Sequence, residues 1–171
     1  MSEAMSAEFD TIAQWTAQAA IDLGPSHYIP AACRGSGSPA ALDWLVEQMG
    51  LAAGTTLLDC GAGVGGPSAY AEEQRSVRPV LIEPEAGACH AARRLFGHPV
   101  VQAGGSAIPV ADETFSAAWS LGVLCTMRAQ TTLLAELRRV VEPHGRIGLL
   151  VLVARTTSDF EKPEGLSLIH I

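Results

Sequence analysis

Leu57–Gly66 reads LLDCGAGVGG. An apolar run, Thr55–Cys60, has the length and composition of a buried strand. It delivers the chain to a glycine turn, Gly61–Gly66, and a helix is predicted over about 66–75. Glycine tolerates positive φ and lets a ligand approach the main chain closely. The helix start beyond offers free N–H groups and a partial positive charge. The turn alone leaves the ligand open, because Gly61, Gly63 and Gly66 also satisfy the dinucleotide pattern G-x-G-x-x-G.

Working outward, strand and helix alternate. Pro79–Glu83 (PVLIE) predicts a second strand and about 85–96 a helix. Further strands are predicted at Pro99–Ala103 (PVVQA), Ala117–Leu121 (AAWSL) and Arg146–Ala154 (RIGLLVLVA). A helix over about 129–141 and a turn at Glu142–Gly145 precede the last strand. Such alternation predicts an α/β fold with crossovers and a mainly parallel sheet covered on both faces.

Upstream, Met5, Phe9, Ile12, Trp15, Ala19 and Leu23 fall at steps of three and four. This predicts a helix over 5–23 with that stripe facing inward. Residues 24–39 are rich in Gly, Ser and Pro and read as a loop, followed by a helix over about 39–50. The expected organisation is a helical cap over 1–50, a ligand-binding core over 51–154 and an irregular tail over 155–171. Leu166–Ile171 (LSLIHI) resembles the translation of a transposon-end adapter used in DNA sequencing libraries. That segment is set apart from the fold as a non-native scar.

Composition narrows the classes. Of 171 residues, 48% are apolar and 17% charged, so the chain can bury enough surface to fold rather than stay disordered. The net charge is −7 with no basic block, which argues against nucleic acid as a partner and against an anionic membrane surface. No apolar run is long enough for a membrane span. Cys33, Cys60, Cys89 and Cys125 have neither C-x-x-C nor zinc spacing, so scattered thiols, no metal and a cytoplasmic location are expected.

Three features sharpen the ligand. Asp59 precedes the glycines, and a carboxylate there suits an amino-bearing ligand better than a pyrophosphate. Glu83 ends the next strand, 22 residues after Gly61, where an acid can accept from both ribose hydroxyls. Ile108–Trp119 (IPVADETFSAAW) and Leu134–Gly145 (LAELRRVVEPHG) have no counterpart in the dinucleotide fingerprint.

Over about residues 40–154 the chain resembles the class I S-adenosylmethionine (SAM) dependent methyltransferases, type 11 group, which includes small-molecule and quinone-biosynthesis enzymes. LLDCGAGVGG resembles the family's first motif, and IEPEAGACHAARR its acidic second strand end. AIPVADETFSAAWSLGVL and LLAELRRVVEPHGRIGLLV resemble its later motifs.

The resemblance implies a Rossmann-like three-layer sandwich with strand order 3-2-1-4-5. It also implies two further strands that the sequence does not supply, leaving strand five as an apolar edge. It assigns Asp59, Gly61, Ala62, Gly63 and Gly65 to the turn around the methionine moiety of SAM. Glu83 would take the ribose, with Pro84 beside the adenine, and Ser106, Ala107 and Ile108 at the adenine edge. Ser120, Leu121 and Gly122 would line the methyl-transfer pocket. The implied activity is methyl transfer to a small-molecule acceptor.

Departures from the family pattern are Gly104 and Ser116, where acids are usual, and His144 inside the "P-G-G" turn, where positive φ is expected. An activated methyl donor needs no invariant catalytic side chain, and none is assigned. His27, Tyr28, Cys33, Arg34 and Cys125 are acceptor-side candidates, Arg34 as a grip for a carboxylate. The alternatives are an NAD(P)-dependent oxidoreductase and a non-catalytic SAM-fold binding protein.

Overall fold

The computed structural model describes residues 3–34 and 38–151. Helices α1 (Glu3–Leu23), α2 (Tyr28–Ala32) and α3 (Pro39–Gln48) come first. Then follow β1 (Thr56–Cys60), α4 (Gly66–Arg75), β2 (Arg78–Glu83), α5 (Ala86–Phe96) and β3 (Val100–Gln102). β4 (Phe115–Leu121), α6 (Gln130–Val140) and β5 (Val141–Leu150) complete the described chain. The strands form one parallel sheet in the order β3-β2-β1-β4-β5, as expected.

Successive strand side chains leave on opposite faces. Leu57 packs with Leu42, Leu45 and Val46 of α3, whereas Leu58 packs with Leu133 and Leu137 of α6. Leu81 packs with Cys89 and Ala92 of α5. With helices on both faces, β1 and β4 have almost no polar side. In α6, Leu133, Leu137 and Val140 fall at steps of four and three on one buried face. Burying a side chain of that size contributes about 1.5–3 kcal/mol. α3 starts where Ser38 Oγ accepts the Ala41 N–H at 3.2 Å and Pro39 presets the first turn.

Three expectations are corrected. First, α1 is rotated relative to the predicted stripe. Ala13, Ala17 and Ala20 are buried with Ala88 and Ala91 of α5, while Trp15 is 69% and Leu23 65% exposed. The reason is the closeness of the two helices: a Cβ on Gly87 would lie 2.6 Å from the Asp10 carbonyl oxygen. At that separation only small residues fit, so size overrode hydrophobicity in choosing the face. Second, the loop-rich segment 24–39 contains α2 and a 3-10 turn at Pro25–His27.

Third, β5 begins at Val141 rather than Arg146. The register jumps from Phe115↔Val141 to Ala117↔Arg146, so Glu142–Gly145 bulges out of the strand. His144 sits in that bulge at φ 69°, the positive value expected of it. The predicted strand end at 152–154 and the tail at 155–171, with its suspected scar, lie outside the described residues.

Candidate functional site

In a sheet of this order the chain reverses direction between β1 and β4, and a crevice opens at their carboxyl ends. A cavity of about 380 Å³ lies there. Its walls include Gly61 and Gly63 after β1, Glu83 and Pro84 at the end of β2, and Leu121 and Gly122 at the end of β4. Arg34, exposed beyond α2, joins the wall. The structure therefore gathers seven of the residues singled out from the sequence.

The glycine turn is shaped by its neighbours. Gly61 has φ 79°, and a Cβ there would come within 2.3 Å of Val123 Cγ2, so the turns after β1 and β4 abut. Gly66 lies under the end of α2, where a Cβ would be 2.4 Å from the Ala32 carbonyl carbon. Gly63 differs: its φ is 55°, and nothing would stand within 4 Å of a Cβ. That glycine serves the open side of the turn.

Glu83 is buried, 6% exposed, and reaches the cavity. Its Oε2 accepts the Gly63 N–H at 2.8 Å and its Oε1 accepts the Glu85 N–H at 3.0 Å. A carboxylate offers about four lone-pair positions, so acceptor capacity remains for a ligand. Burial pushes its pKa up, the two N–H donors pull it back, and the charges of Glu85 and Asp59 push it up further.

Asp59, only 1% exposed, is not on the cavity wall. Its Oδ2 accepts the Ser68 hydroxyl of α4 at 2.7 Å. Burial raises its pKa to about 6, against the lowering effects of Ser68, the Trp119 indole and the charge of His98. The Trp119 Nε1 lowers the Asp59 pKa from nearby without meeting any group in hydrogen-bond geometry among the described residues. His98, also buried, pairs through Nε2 with Glu72 Oε2 at 2.9 Å and stacks on Phe96.

Other predicted residues lie off the wall. Ala62 and Gly65 turn toward Leu81 and α5. Ser106 and Ala107 are exposed on the loop after β3, while Ile108 is buried against α6. Ser120 Oγ donates to the Cys60 carbonyl at 2.8 Å. His27 is exposed beside Ser26, and Tyr28 packs edge-on against Phe96. Cys125 is buried and its thiol donates to the Gly122 carbonyl at 3.2 Å. Burial drives the Cys60 thiol pKa to about 12, which makes it a packing group rather than a nucleophile.

The loop after β3 is tied down by the E-x-x-R pair of α6. Arg139 Nη2 donates to the Ile108 carbonyl at 2.9 Å, and Nη1 to the Val110 carbonyl at 2.8 Å. Glu136 Oε2 accepts the Ile108 N–H at 2.7 Å, and the Arg139 hydrogen bonds hold its pKa down at about 2.

Phe9, Ala13, Ala32, Val64, Glu85, Ala88, Val123 and Thr126 also line the cavity, and sequence reasoning missed them. Val123 and Thr126 follow a strand's carboxyl end, a position that marks ligand sites in such sheets. Phe9 and Ala13 carried no such signal, because only the docking of α1 brings them there. Among the described residues no cluster of His, Cys, Asp and Glu could hold a metal ion, and no helix is long and apolar enough to cross a membrane.

Comparison with known proteins gives the family and the fold. A methyltransferase-domain family model matches residues 58–149, just over half of the chain. The chain is 25% identical over 122 residues to methyltransferase GfsG of Streptomyces halstedii, covering 67% of this chain and 44% of that protein. It thus spans less than half the length of that relative. Among solved structures, the [4+2]-cyclase SpnF superposes with TM-score 0.69 at 26% identity, over 79% of this chain and 54% of that one. Geranyl diphosphate C-methyltransferase from Streptomyces coelicolor A3(2) shares the fold, with TM-score 0.59, 21% identity and coverage of 66% and 45%. The glycine turn after β1, the acid that ends β2 and the E-x-x-R clamp of α6 all fall inside the matched span, and the chain belongs to the methyltransferase-domain family, the class I SAM-dependent methyltransferases.

Proposed function

We propose that this chain binds SAM in the cavity at the carboxyl ends of β1, β2 and β4 and transfers its methyl group to a small-molecule acceptor. The observation that carries the reading is Glu83: a buried carboxylate on the cavity wall, held by two backbone N–H groups, with acceptor capacity to spare. Glu83 would take the ribose hydroxyls and Pro84 would pack beside the adenine. Gly61 and Gly63 would let the methionine moiety lie against the main chain. Leu121, Gly122 and Val123 would form the apolar floor near the transferred group.

Bound SAM supplies an activated methyl group for in-line displacement by the acceptor. The residues around it position the two reactants and exclude water. Orientation of this kind can supply roughly 7–11 kcal/mol of a barrier. The acceptor side is mostly apolar, from Phe9, Ala13 and Val123, with Thr126 and Arg34 as polar groups. This favours an apolar acceptor bearing one anionic or polar group. GfsG and the geranyl diphosphate enzyme are both methyltransferases by name, and the latter acts on a small molecule. That neighbour was solved with Mg2+ and S-adenosylhomocysteine (SAH). For this chain the reading is transfer without a metal, in the cytoplasm, with neither nucleic acid nor membrane as partner.

The test is SAH binding by calorimetry, followed by a methyl-donor assay against a metabolite panel with and without chelator. Binding of SAH but not NADH is expected, with methylation that survives the chelator. Binding of NADH alone would support the oxidoreductase alternative and sink this reading. The likeness to SpnF supports a second reading, in which the fold performs chemistry other than methylation. SAH binding with no methylated product from any acceptor would favour it.

A further inference from the structure

We propose that Asp10 and Ser6 of α1 are positioning residues for Glu83: Asp10 caps the start of α5 from outside, Ser6 holds the Glu85 side chain, and together they fix the Pro84–Glu85 rim against which the Glu83 carboxylate is set. This rests on Glu83 as the donor-binding acid, as proposed above.

A helix start leaves backbone N–H groups without partners, and a short polar side chain at the cap position normally satisfies one. α5 has Glu85 at that position, and Glu85 makes no side-chain cap bond. Its carboxylate is engaged elsewhere: Ser6 Oγ donates to Glu85 Oε1 at 2.5 Å. The missing cap comes from another helix, where Asp10 Oδ1 accepts the Gly87 N–H in the first turn of α5. A carboxylate there also complements the positive end of the helix.

Gly87 is what permits the approach, since any Cβ would collide with the Asp10 main chain and carboxylate. The apolar part of the α1–α5 contact is largely alanine, which buries little area per residue. The polar clamp therefore sets the register of α1 at its cavity end.

From this clamp the contacts run inward. The Glu85 N–H donates to Glu83 Oε1, and Glu83 Oε2 accepts the Gly63 N–H. Ser6, Glu85, Glu83 and Gly63 thus form one relay from α1 to the glycine turn. Phe9 and Ala13, on the same helix, form part of the cavity wall. Loss of the clamp frees Glu85, loosens one of the two donors that orient Glu83 and shifts that wall.

The molecule supplies its own control. Further along the α1–α5 contact, about two helical turns from the clamp and off the cavity wall, Arg94 Nη2 donates to Gln18 Oε1 at 3.0 Å. The experiment compares Asp10→Ala, Asp10→Asn and Gln18→Ala in the full chain, reading SAH affinity by calorimetry and amide exchange at Gly87. Asp10→Ala is expected to weaken SAH binding about tenfold and to speed Gly87 exchange in the free protein. Asparagine is an equally good cap, so Asp10→Asn should recover most of the affinity. Gln18→Ala should stay within about twofold, as an exposed hydrogen bond contributes little.

Equal loss from Asp10→Ala and Gln18→Ala would mean general loosening and would overturn the proposal. So would unchanged affinity in Asp10→Ala when the wild-type chain binds SAH. A wild-type chain that does not bind SAH overturns the donor reading and this inference with it. Should Asp10→Ala not fold, Ser6→Ala makes the same comparison at Glu85.

Discussion

Two carboxylates sit near the ends of neighbouring strands, Asp59 on β1 and Glu83 on β2, and both are almost completely buried. Their side chains meet different surroundings. Glu83 is set by two backbone N–H groups and opens onto the cavity. Asp59 is closed off behind the glycine turn, with one hydroxyl from α4 as its bonded donor. Two family motifs that each supply an acid at a strand end therefore do not make those acids equivalent in space. Glu83 keeps spare acceptor capacity for a ligand, whereas Asp59 carries its burial cost without reaching the cavity.

The largest expected effect is the pH dependence set by Asp59. Its folded pKa of about 6 lies above the ordinary 3.8, so the folded state holds the proton more tightly than the unfolded state. Stability should therefore fall as pH rises from about 4 to 6, by about 3 kcal/mol for this group alone. Denaturant melts across that range should show the slope in the wild type and a shallower one in Asp59→Asn, with the raised pKa of Glu83 supplying what remains. The same slope in the variant would remove Asp59 from the account.

Next comes Glu83→Ala, which should weaken SAH binding by about 1–3 kcal/mol because ligand hydroxyls lose their acceptor. Calorimetry on Asp59→Asn should show a clearly smaller loss. Equal losses would erase the distinction drawn between the two acids. At the opposite end of β1 lies a pair off the wall of the candidate site. Thr56 Oγ1 and Ser116 Oγ lie 3.0 Å apart, and Thr56 Oγ1 also accepts the Ser116 N–H at 2.9 Å. Ser116→Ala should cost about 1 kcal/mol of stability and leave SAH affinity unchanged. A loss of affinity there would mean that the sheet transmits strain to the site. The smallest effect should come from Glu136→Gln. The Glu136 pKa is held down at about 2, so its stabilisation is full above about 4.5 and fades as pH falls toward 2. Acid titration of the variant should lack that component.

The sequence by itself determined the sheet. Apolar runs, glycine stops and strand–helix alternation are local signals, and they located five strands to within about five residues, while the order of those strands came from the family resemblance. They also located the glycine turn and Glu83, because a ligand at a strand's carboxyl end needs those residue types at that spacing. Only the tertiary structure decided which side chains face the cavity. α1 shows why: its large apolar stripe looked like the buried face, yet the close approach at Gly87 selected alanines and left Trp15 and Leu23 outside. The bulge at Glu142–Gly145 depends on pairing with β4, which no local pattern encodes. Asp59 followed the same logic. Its motif announced an acid at the site, but Ser68, nine residues later on α4, turned that acid inward. Periodicity specifies which residues share a face. Which neighbour that face meets, and how closely, follows from packing between segments far apart in the chain.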